Sequence, residues 1–238
     1  MIQIANRVSE VLSNERLEEC TVFMSDNAKR YFQSEGSEVN YVYSDKYMMP
    51  LGIVQKMVFR YCVFLDHPFC INESLQGSLK QFLDDVLKYL KEEKGVQWIA
   101  ATPVYSFFMD YPTGAQHIPF GSHVVDLSQD EETLFSKVHS KHRNVIKKAQ
   151  KDGVVVVKGN SDKLIEEYAR IDVDTWRRSN RSSSGRDAIA NQMRCLGENA
   201  IIYLAYLDGK VQSGALYYYN GQMCYYMHGA NKNNPHIG

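Results

Sequence analysis

The sequence lacks the features that mark membrane and secreted proteins. Its 238 residues include no uncharged apolar run of the length, about eighteen residues, that a membrane span needs. Residues 1–10 lack the apolar core of a signal peptide. The net charge is only −1, and 44% of the residues are apolar, as in an ordinary globular protein. We therefore expect a cytoplasmic protein without a transmembrane segment, long enough for one large or two small domains.

Cysteine and histidine patterns for metal or nucleophilic sites are also missing. The five cysteines are scattered without a C-x-x-C pair, and the seven histidines show no H-E-x-x-H spacing. Neither a Gly-x-Ser-x-Gly elbow nor a Walker loop occurs. The sequence therefore predicts reduced cysteines, no metal, and a chemistry that does not need a protein nucleophile.

The chain does contain a concentrated run of positive charge at residues 137–151. This run has six Lys or Arg, two His and no acidic residue. Its apolar residues are spaced as the inner face of one helix over about 134–151, and Asp152-Gly153 marks the end. So much positive charge in a chain of balanced charge indicates an anionic partner, with phosphate as the leading candidate. A solvated helix face is the alternative.

The rest of the pattern runs through similar elements twice and predicts an α+β fold. In the first half we predict strands at 39–43, 57–65, 96–101 and 124–127, with a helix whose inner face includes Leu79, Leu83 and Leu90. In the second half we predict a strand at 154–157, a helix capped by Ser161, a short helix ending at Gly197, and strands at 201–207, 211–219 and 222–228. Asp208-Gly209 and Asn220-Gly221 favour type I′ hairpins between the last three strands.

Several segments resemble the FemAB-like family of peptidoglycan bridge-forming aminoacyltransferases and related acyltransferases. Residues 140–154, SKHRNVIKKAQKDGV, are similar to the basic signature of that family. Residues 118–127 resemble its strand into "DL", and Asp174-Thr175-Trp176-Arg177 resembles its "T-x-R". Residues 208–215 resemble its "G-K-x-x-A-G", and residues 225–230, YYMHGA, its "Y-x-Y-G-A" strand. The resemblance covers about residues 20–238.

The resemblance implies two GNAT-like (acyl-CoA N-acyltransferase-like) subdomains with mixed sheets, over residues 1–128 and 129–238. Family members continue through another helix and a strand ending in a "D-F-G-G" type segment. This sequence stops in a loop, residues 233–238, that normally leads into that helix. We therefore expect the second subdomain to be incomplete and the chain to be truncated at its C-terminus.

The resemblance also implies the reaction. Family members transfer an acyl or aminoacyl group to an amine, here expected on a peptidoglycan precursor or surface glycan that carries negative charge. The donor would be aminoacyl-tRNA or acyl-coenzyme A. Two alternatives remain open: a coenzyme A dependent N-acetyltransferase acting on an amino sugar, and a non-catalytic module that binds phosphoglycans or nucleic acid through the basic helix.

Four candidate site residues follow from the family match. Arg177 is the expected phosphate anchor, since a guanidinium can bind an anion through two hydrogen bonds, although it could instead pair with Asp172 or Asp174. Thr175 would add a hydroxyl donor, or bond back to its own helix. Tyr226 would contact the substrate, unless it only packs in the sheet. His228 is the candidate catalytic residue, as a proton relay, with a structural role as the alternative.

The remaining candidates concern charge and the end of the chain. Arg143, Lys147 and Lys148 could form a positive surface for a nucleotide-sugar diphosphate or for RNA, or could simply be solvated. Asn231 begins a loop, residues 231–238, that could hold an oxyanion or a pyrophosphate if a helix follows it.

Overall fold

The computed structural model describes residues 2–103 and 105–232, and the chain forms two compact units. Unit 1 consists of Met1–Phe120 and Tyr219–Tyr225, and unit 2 of Gly121–Tyr218 and Tyr226–Gly238. Helices and a sheet occur in both units, which confirms the predicted α+β class. The boundary near residue 128 between two GNAT-like subdomains stays a prediction.

Unit 1 is built on a six-stranded mixed sheet. Its strands are β1 Gln3–Ala5, β2 Ser37–Tyr43, β3 Tyr47–Lys56, β4 Phe59–Phe64, β5 Phe69–Cys70 and β6 Trp98–Ile99. The order is β1-β2-β3-β4-β6, with β5 paired to β3. The pairing of β4 with β6 is parallel and the others are antiparallel. The predicted strand at 57–65 begins later than expected, because Met57 has a positive φ of 47° and turns β3 into β4.

Helices cover parts of both faces of this sheet. Ser78 caps α3 (Leu79–Glu92) through a hydrogen bond from the Gln81 amide, and Phe82, Leu83 and Leu90 are buried against the sheet. Around the other face lie the short α1 (Asn14–Leu17), α2 (Asp26–Ser34) and two 3₁₀ turns, Val8–Glu10 and Val22–Met24. The amphipathic spacing of α3 therefore predicted its buried side correctly.

Unit 2 is built on a four-stranded sheet in the order β10-β9-β8-β7. The strands are β7 Val155–Gly159, β8 Ala200–Leu207, β9 Lys210–Asn220 and β10 Met223–Asn231. Its helices are α4 Glu131–Lys137, α5 Ser140–Lys151, α6 Asp162–Arg178 and α7 Gly185–Leu196, and a 3₁₀ turn at Gly197–Asn199 follows. The predicted helix ends at Ser161, Asp152 and Gly197 are confirmed as boundaries, but the side chain of Ser161 makes no capping hydrogen bond.

The two hairpins of this sheet differ. Asp208 and Gly209 both have positive φ, 50° and 70°, which confirms the predicted type I′ turn. The second turn falls one residue later than predicted, because β9 continues through Asn220 and the loop is Gly221-Gln222. Within that turn only Gly221 has positive φ (48°), so the prediction of a type I′ turn at Asn220-Gly221 was wrong.

Two local predictions around the basic segment are also wrong. The expected single helix is two helices, α4 and α5, because Val138 and His139 are extended, with ψ of 135° and 137°. The expected strand at 124–127 is irregular and exposed. There the Asp126 carboxylate accepts the backbone N–H of Ser128 at 3.0 Å and its hydroxyl at 2.7 Å, and this local turn competes with strand pairing.

Gly214 in β9 is expected to be necessary for packing. A Cβ at this position would lie 2.6 Å from Leu204 Cδ2 and 3.1 Å from the backbone oxygen of Tyr203, and the backbone cannot easily yield. We expect Gly214→Ala to lower the free energy of unfolding by about 1–3 kcal/mol, measured by chemical denaturation. Gly121→Ala is the control, since nothing lies within 4 Å of its Cβ and its φ is not positive. Equal stability of the two variants would contradict this packing account.

Candidate functional site

The structure brings Thr175 and Asn231 together in unit 2, where the end of α6 meets the end of β10. The Thr175 hydroxyl accepts the backbone N–H of Asn231 at 2.8 Å and lies 3.0 Å from the Asn231 carbonyl oxygen. It also donates to the Ile171 carbonyl at 2.8 Å, the helical back-bond that was the alternative. The back-bonding alternative is therefore present, and a role of Thr175 as a hydroxyl donor to a substrate stays a prediction. The same hydroxyl holds the end of β10 at Asn231.

Of the two arginines beside Thr175, Arg178 is the one that reaches this junction. Its Nη2 donates to the Asn231 carbonyl at 2.6 Å and to the Thr175 hydroxyl at 3.3 Å. Arg177 has a side chain that is 75% exposed and pairs with Asp174 at 3.5 Å. An exposed ion pair of this kind contributes little stability, so the Arg177 guanidinium can still bind an anion.

His228 lies on β10 beside a buried residue of α6. The Tyr168 hydroxyl is 2.8 Å from His228 Nδ1 and 3.1 Å from the His228 carbonyl oxygen. The nearest acidic group is Asp172, whose Oδ1 is 3.8 Å from Nδ1. Burial lowers the pKa of His228 below its ordinary value, and the charge of Asp172 opposes that shift. The imidazole is therefore neutral at neutral pH and able to accept a proton.

Asp172 connects α6 to the loop that follows it. The residue is 2% exposed; its Oδ1 accepts the Trp176 indole N–H at 3.0 Å and its Oδ2 accepts the Ser183 hydroxyl at 2.7 Å. Sequence reasoning considered Asp172 only as a partner for Arg177. The signal was its place in the inward register of α6, since Tyr168, Asp172 and Trp176 follow one another at intervals of four.

Tyr226 is largely solvent-exposed (62%) on β10. Its ring lies 5.5 Å from that of Tyr217, centroid to centroid. Its hydroxyl occupies the space beside Gly229, where a Cβ would come within 2.2 Å of the oxygen. Packing accounts for one side of the ring and leaves the exposed side free. That Tyr226 contacts a substrate stays a prediction.

The basic residues of α5 do not form one equivalent row. Arg143 Nη1 donates to the carbonyl oxygens of Ser136 at 2.6 Å and Val138 at 2.5 Å, and so caps the C-terminus of α4. Lys148 pairs with Asp152 at 2.7 Å. Lys141 and Lys147 are exposed, and their ammonium groups have no partner among the residues that the structure describes. Lys151 is likewise exposed without a partner among the described residues, so Lys141, Lys147 and Lys151 are the cations of α5 that are free to bind an anion.

Other features of the described residues lie apart from these candidates. Unit 1 contains a cavity of about 730 Å³ lined by Phe59, Tyr61 and Trp98, and none of the predicted site residues lines it. No described group of three His, Cys, Asp or Glu side chains is arranged to hold a metal ion. Within residues 2–103 and 105–232, no helix has the length and apolar character to span a membrane. Most of the 231–238 loop lies outside the described residues.

Comparisons with known proteins give a matching family and a matching fold. The model of the FemAB family matches residues 107–231, more than half of the chain. The crystal structure of FemX has a TM-score of 0.67 at 12% identity, and the alignment covers 98% of this chain and 81% of FemX. At this identity the likeness shows the fold alone. No curated protein sequence matches the chain.

Two further solved structures are more distant. One is a conserved protein of unknown function from Bacteroides thetaiotaomicron, with 10% identity, a TM-score of 0.45, and coverage of 91% of this chain and 75% of that one. The other is described as the C-terminal domain of a putative lysylphosphatidylglycerol synthetase from Agrobacterium fabrum, with 12% identity, a TM-score of 0.46, and coverage of 92% and 68%.

The lowered pKa of His228 predicts a specific pH dependence of stability. The folded state holds this imidazole neutral more strongly than the unfolded state does. The contribution of His228 to the free energy of unfolding is therefore fully present above the ordinary His pKa, and it is lost as pH falls from that value through the lower pKa of the folded state. We expect His228→Gln to lose less stability than the parent between about pH 7 and pH 5, around the ordinary pKa of about 6.5. Urea denaturation at both pH values measures this, with His117→Gln as the exposed control. Identical pH dependence of parent and His228→Gln would contradict it.

Proposed function

We propose, since this chain belongs to the FemAB family, that it transfers an aminoacyl or acyl group to an amine of a peptidoglycan precursor or surface glycan. Family membership supports an activity of the aminoacyltransferase type. The observation that carries the proposal is the extent of the family match, residues 107–231. That range includes the free lysines of α5, the junction of Thr175 with Asn231, and His228.

The chemistry asks for few protein groups, and unit 2 supplies candidates for them. An amine attacks an activated acyl carbon, so the site needs an anchor for the anionic substrate, hydrogen-bond donors for the developing oxyanion, and a route for the amine proton. His228 supports the proton route, because its imidazole is neutral and hydrogen-bonded to Tyr168. The proposed step moves the proton that the nitrogen loses after it has bonded to the acyl carbon to this imidazole, which later releases it to water.

Arginine and lysine side chains of unit 2 support the anchoring of an anion. Arg177 is exposed and weakly paired, and its planar guanidinium can bind phosphate through two hydrogen bonds. Lys141 and Lys147 add unpaired charge on α5. We propose that these three bind phosphates of the acceptor or donor, and that Tyr226 contacts the substrate with its exposed side. Arg143 and Lys148 contribute to the positive field while their side chains bind nearby carbonyl and carboxylate groups.

We propose aminoacyl-tRNA as the donor, because the family to which the chain belongs includes enzymes that use it. That donor is made in the cytoplasm, so the reaction is placed there. Acyl-coenzyme A is the competing donor. Within the GNAT fold its pyrophosphate would be held by a loop that corresponds to residues 231–238, most of which lie outside the described residues. The donor is therefore best decided by experiment.

Labelled donors test the reaction directly. Purified protein is incubated with an anionic peptidoglycan precursor and either tRNA charged with labelled amino acids or labelled acetyl-coenzyme A. We expect label from charged tRNA to appear on the acceptor amine, and His228→Gln to slow its transfer by about 10²–10⁴-fold. Transfer from acetyl-coenzyme A alone would indicate the N-acetyltransferase, and binding without transfer from either donor would indicate a non-catalytic module.

The free lysines of α5 are expected to act in binding and not in folding. Lys141→Gln combined with Lys147→Gln should weaken affinity for charged tRNA and reduce the salt slope by roughly 0.7 for each phosphate that the variant no longer binds. The thermal midpoint should hardly change, because exposed substitutions usually stay within about 0.5 kcal/mol. Lys158→Gln with Lys163→Gln is the matched control, since both lysines are exposed and the change in charge is the same. If the two double variants weaken binding of charged tRNA equally, the lysines of α5 have no special role in binding.

A further inference from the structure

Unit 1 contains a second histidine beside a buried aspartate. Asp66 follows β4 closely and is 0% exposed. Its Oδ2 accepts the hydroxyl of Thr21, which is itself buried, and its Oδ1 accepts the backbone N–H of His67 at 2.7 Å. Burying a carboxyl group is unfavourable unless hydrogen bonds replace its hydration, and here each oxygen has a donor. Asp66 is therefore held rigidly in one orientation.

The imidazole of His67 lies against the same carboxyl group. His67 Nδ1 is buried and lies 2.7 Å from Asp66 Oδ1. The contact is a close electrostatic approach and not an ordinary hydrogen bond. The side chain is 26% exposed, and because Nδ1 is buried, that exposure belongs to the rest of the ring. A carboxylate beside Nδ1 favours the tautomer that carries its proton there, which leaves a lone pair on Nε2.

Aromatic side chains enclose this pair within unit 1. The rings of Phe23 and Tyr105 stack with centroids 4.0 Å apart, and Tyr225 meets Phe23 edge-on at 5.2 Å. The ring of Phe107 lies edge-on to His67 at 6.4 Å. Burial raises the pKa of Tyr105 and of Tyr225, and the charge of Asp66 raises both further. These phenols therefore stay protonated at neutral pH and do not act as bases.

A purely structural role explains Asp66 but not the side chain of His67. Asp66 joins Thr21 to the chain after β4, and any residue except proline at position 67 would supply the backbone N–H that it accepts. The imidazole adds no hydrogen bond to the described part of the fold. Its placement, with one nitrogen against a buried carboxyl group and the remainder partly exposed, is similar to that of a histidine base beside its aspartate, with a close electrostatic contact in place of the hydrogen bond.

We propose that His67, oriented by Asp66, is a general base that takes a proton from an amine bound at unit 1. In the proposed step an N–H bond of the ammonium breaks, Nε2 of His67 gains the proton, and the freed amine lone pair forms a C–N bond to the acyl carbon. As the bond from the acyl carbon to the donor oxygen breaks, the nitrogen releases its second proton and the leaving oxygen takes one up. The imidazolium then returns the proton to water. This role rests on the acyl transfer proposed above, and Asp66 acts in it as a positioning residue.

The tautomer of His67 tests the geometry without any substrate. Nitrogen-15 NMR of the histidine side chains at about pH 8, well above the ordinary His pKa, distinguishes a proton on Nδ1 from one on Nε2. We expect the Nδ1–H form for His67 in the parent protein and a mixture of tautomers in Asp66→Asn. A parent protein with the proton on Nε2 would overturn the proposal, and this holds even if Asp66→Asn does not fold.

Kinetics test the catalytic role with the labelled-donor assay. His67→Gln should lower kcat by about 10²–10⁴-fold and remove the rise of rate with pH that reports the base, with KM little changed. His117→Gln, an exposed histidine of unit 1 whose ring stacks on Tyr111 at 4.3 Å, should behave as the parent. If the parent transfers label and His67→Gln keeps its rate and pH profile, the role of His67 is wrong while the transferase stands. If the parent transfers no label, the transferase proposal fails.

Discussion

The candidate site of unit 2 depends on one buried carboxyl group, that of Asp172. Removing such a group from water costs several kcal/mol unless donors replace its hydration. Here the donors are the Trp176 indole and the Ser183 hydroxyl, so α6 and the loop after it are held to each other. His228 lies at the edge of the same group, 3.8 Å away, with Tyr168 between helix and strand. Asp172 thus orders the surroundings of His228, the candidate proton relay of this unit.

Positive charge in the basic segment serves two different purposes. Part of it stabilises the fold, because Arg143 binds two carbonyl groups where α4 ends. A cation at the C-terminus of a helix interacts favourably with the helix dipole, so this guanidinium supports the break between α4 and α5. Other charge, on Lys141, Lys147 and Lys151, is exposed and unpaired within the described chain. A dense cationic motif is therefore not a uniform binding surface.

Each unit, taken by itself, places a histidine beside an almost fully buried aspartate. In unit 1 the pair is adjacent in sequence, Asp66 and His67, and the nitrogen and oxygen are 2.7 Å apart. In unit 2 the pair is Asp172 and His228, far apart in sequence, with 3.8 Å between the nitrogen and oxygen, and a tyrosine hydroxyl takes the closer position. The proposed chemistry uses the first as a base and the second as a relay. A transferase that forms no covalent intermediate needs little more than such proton routes and an anion site.

The sequence by itself determined the α+β class, the buried side of α3, the helix boundaries at Ser161 and Gly197, and the type I′ turn at Asp208-Gly209. These depend on local spacing and on the φ values that particular residues prefer, and neighbouring residues suffice to define them. The FemAB resemblance likewise rested on short ordered motifs, and the family match bears it out.

The tertiary structure decided the rest. It divided the basic helix at Val138, left residues 124–127 without a strand partner, and selected Arg178 over Arg177 at the Asn231 carbonyl. It also brought Asp172 to His228 from a distant part of the sequence. Such contacts depend on which buried polar groups need a partner once the chain has folded, and no local pattern specifies that.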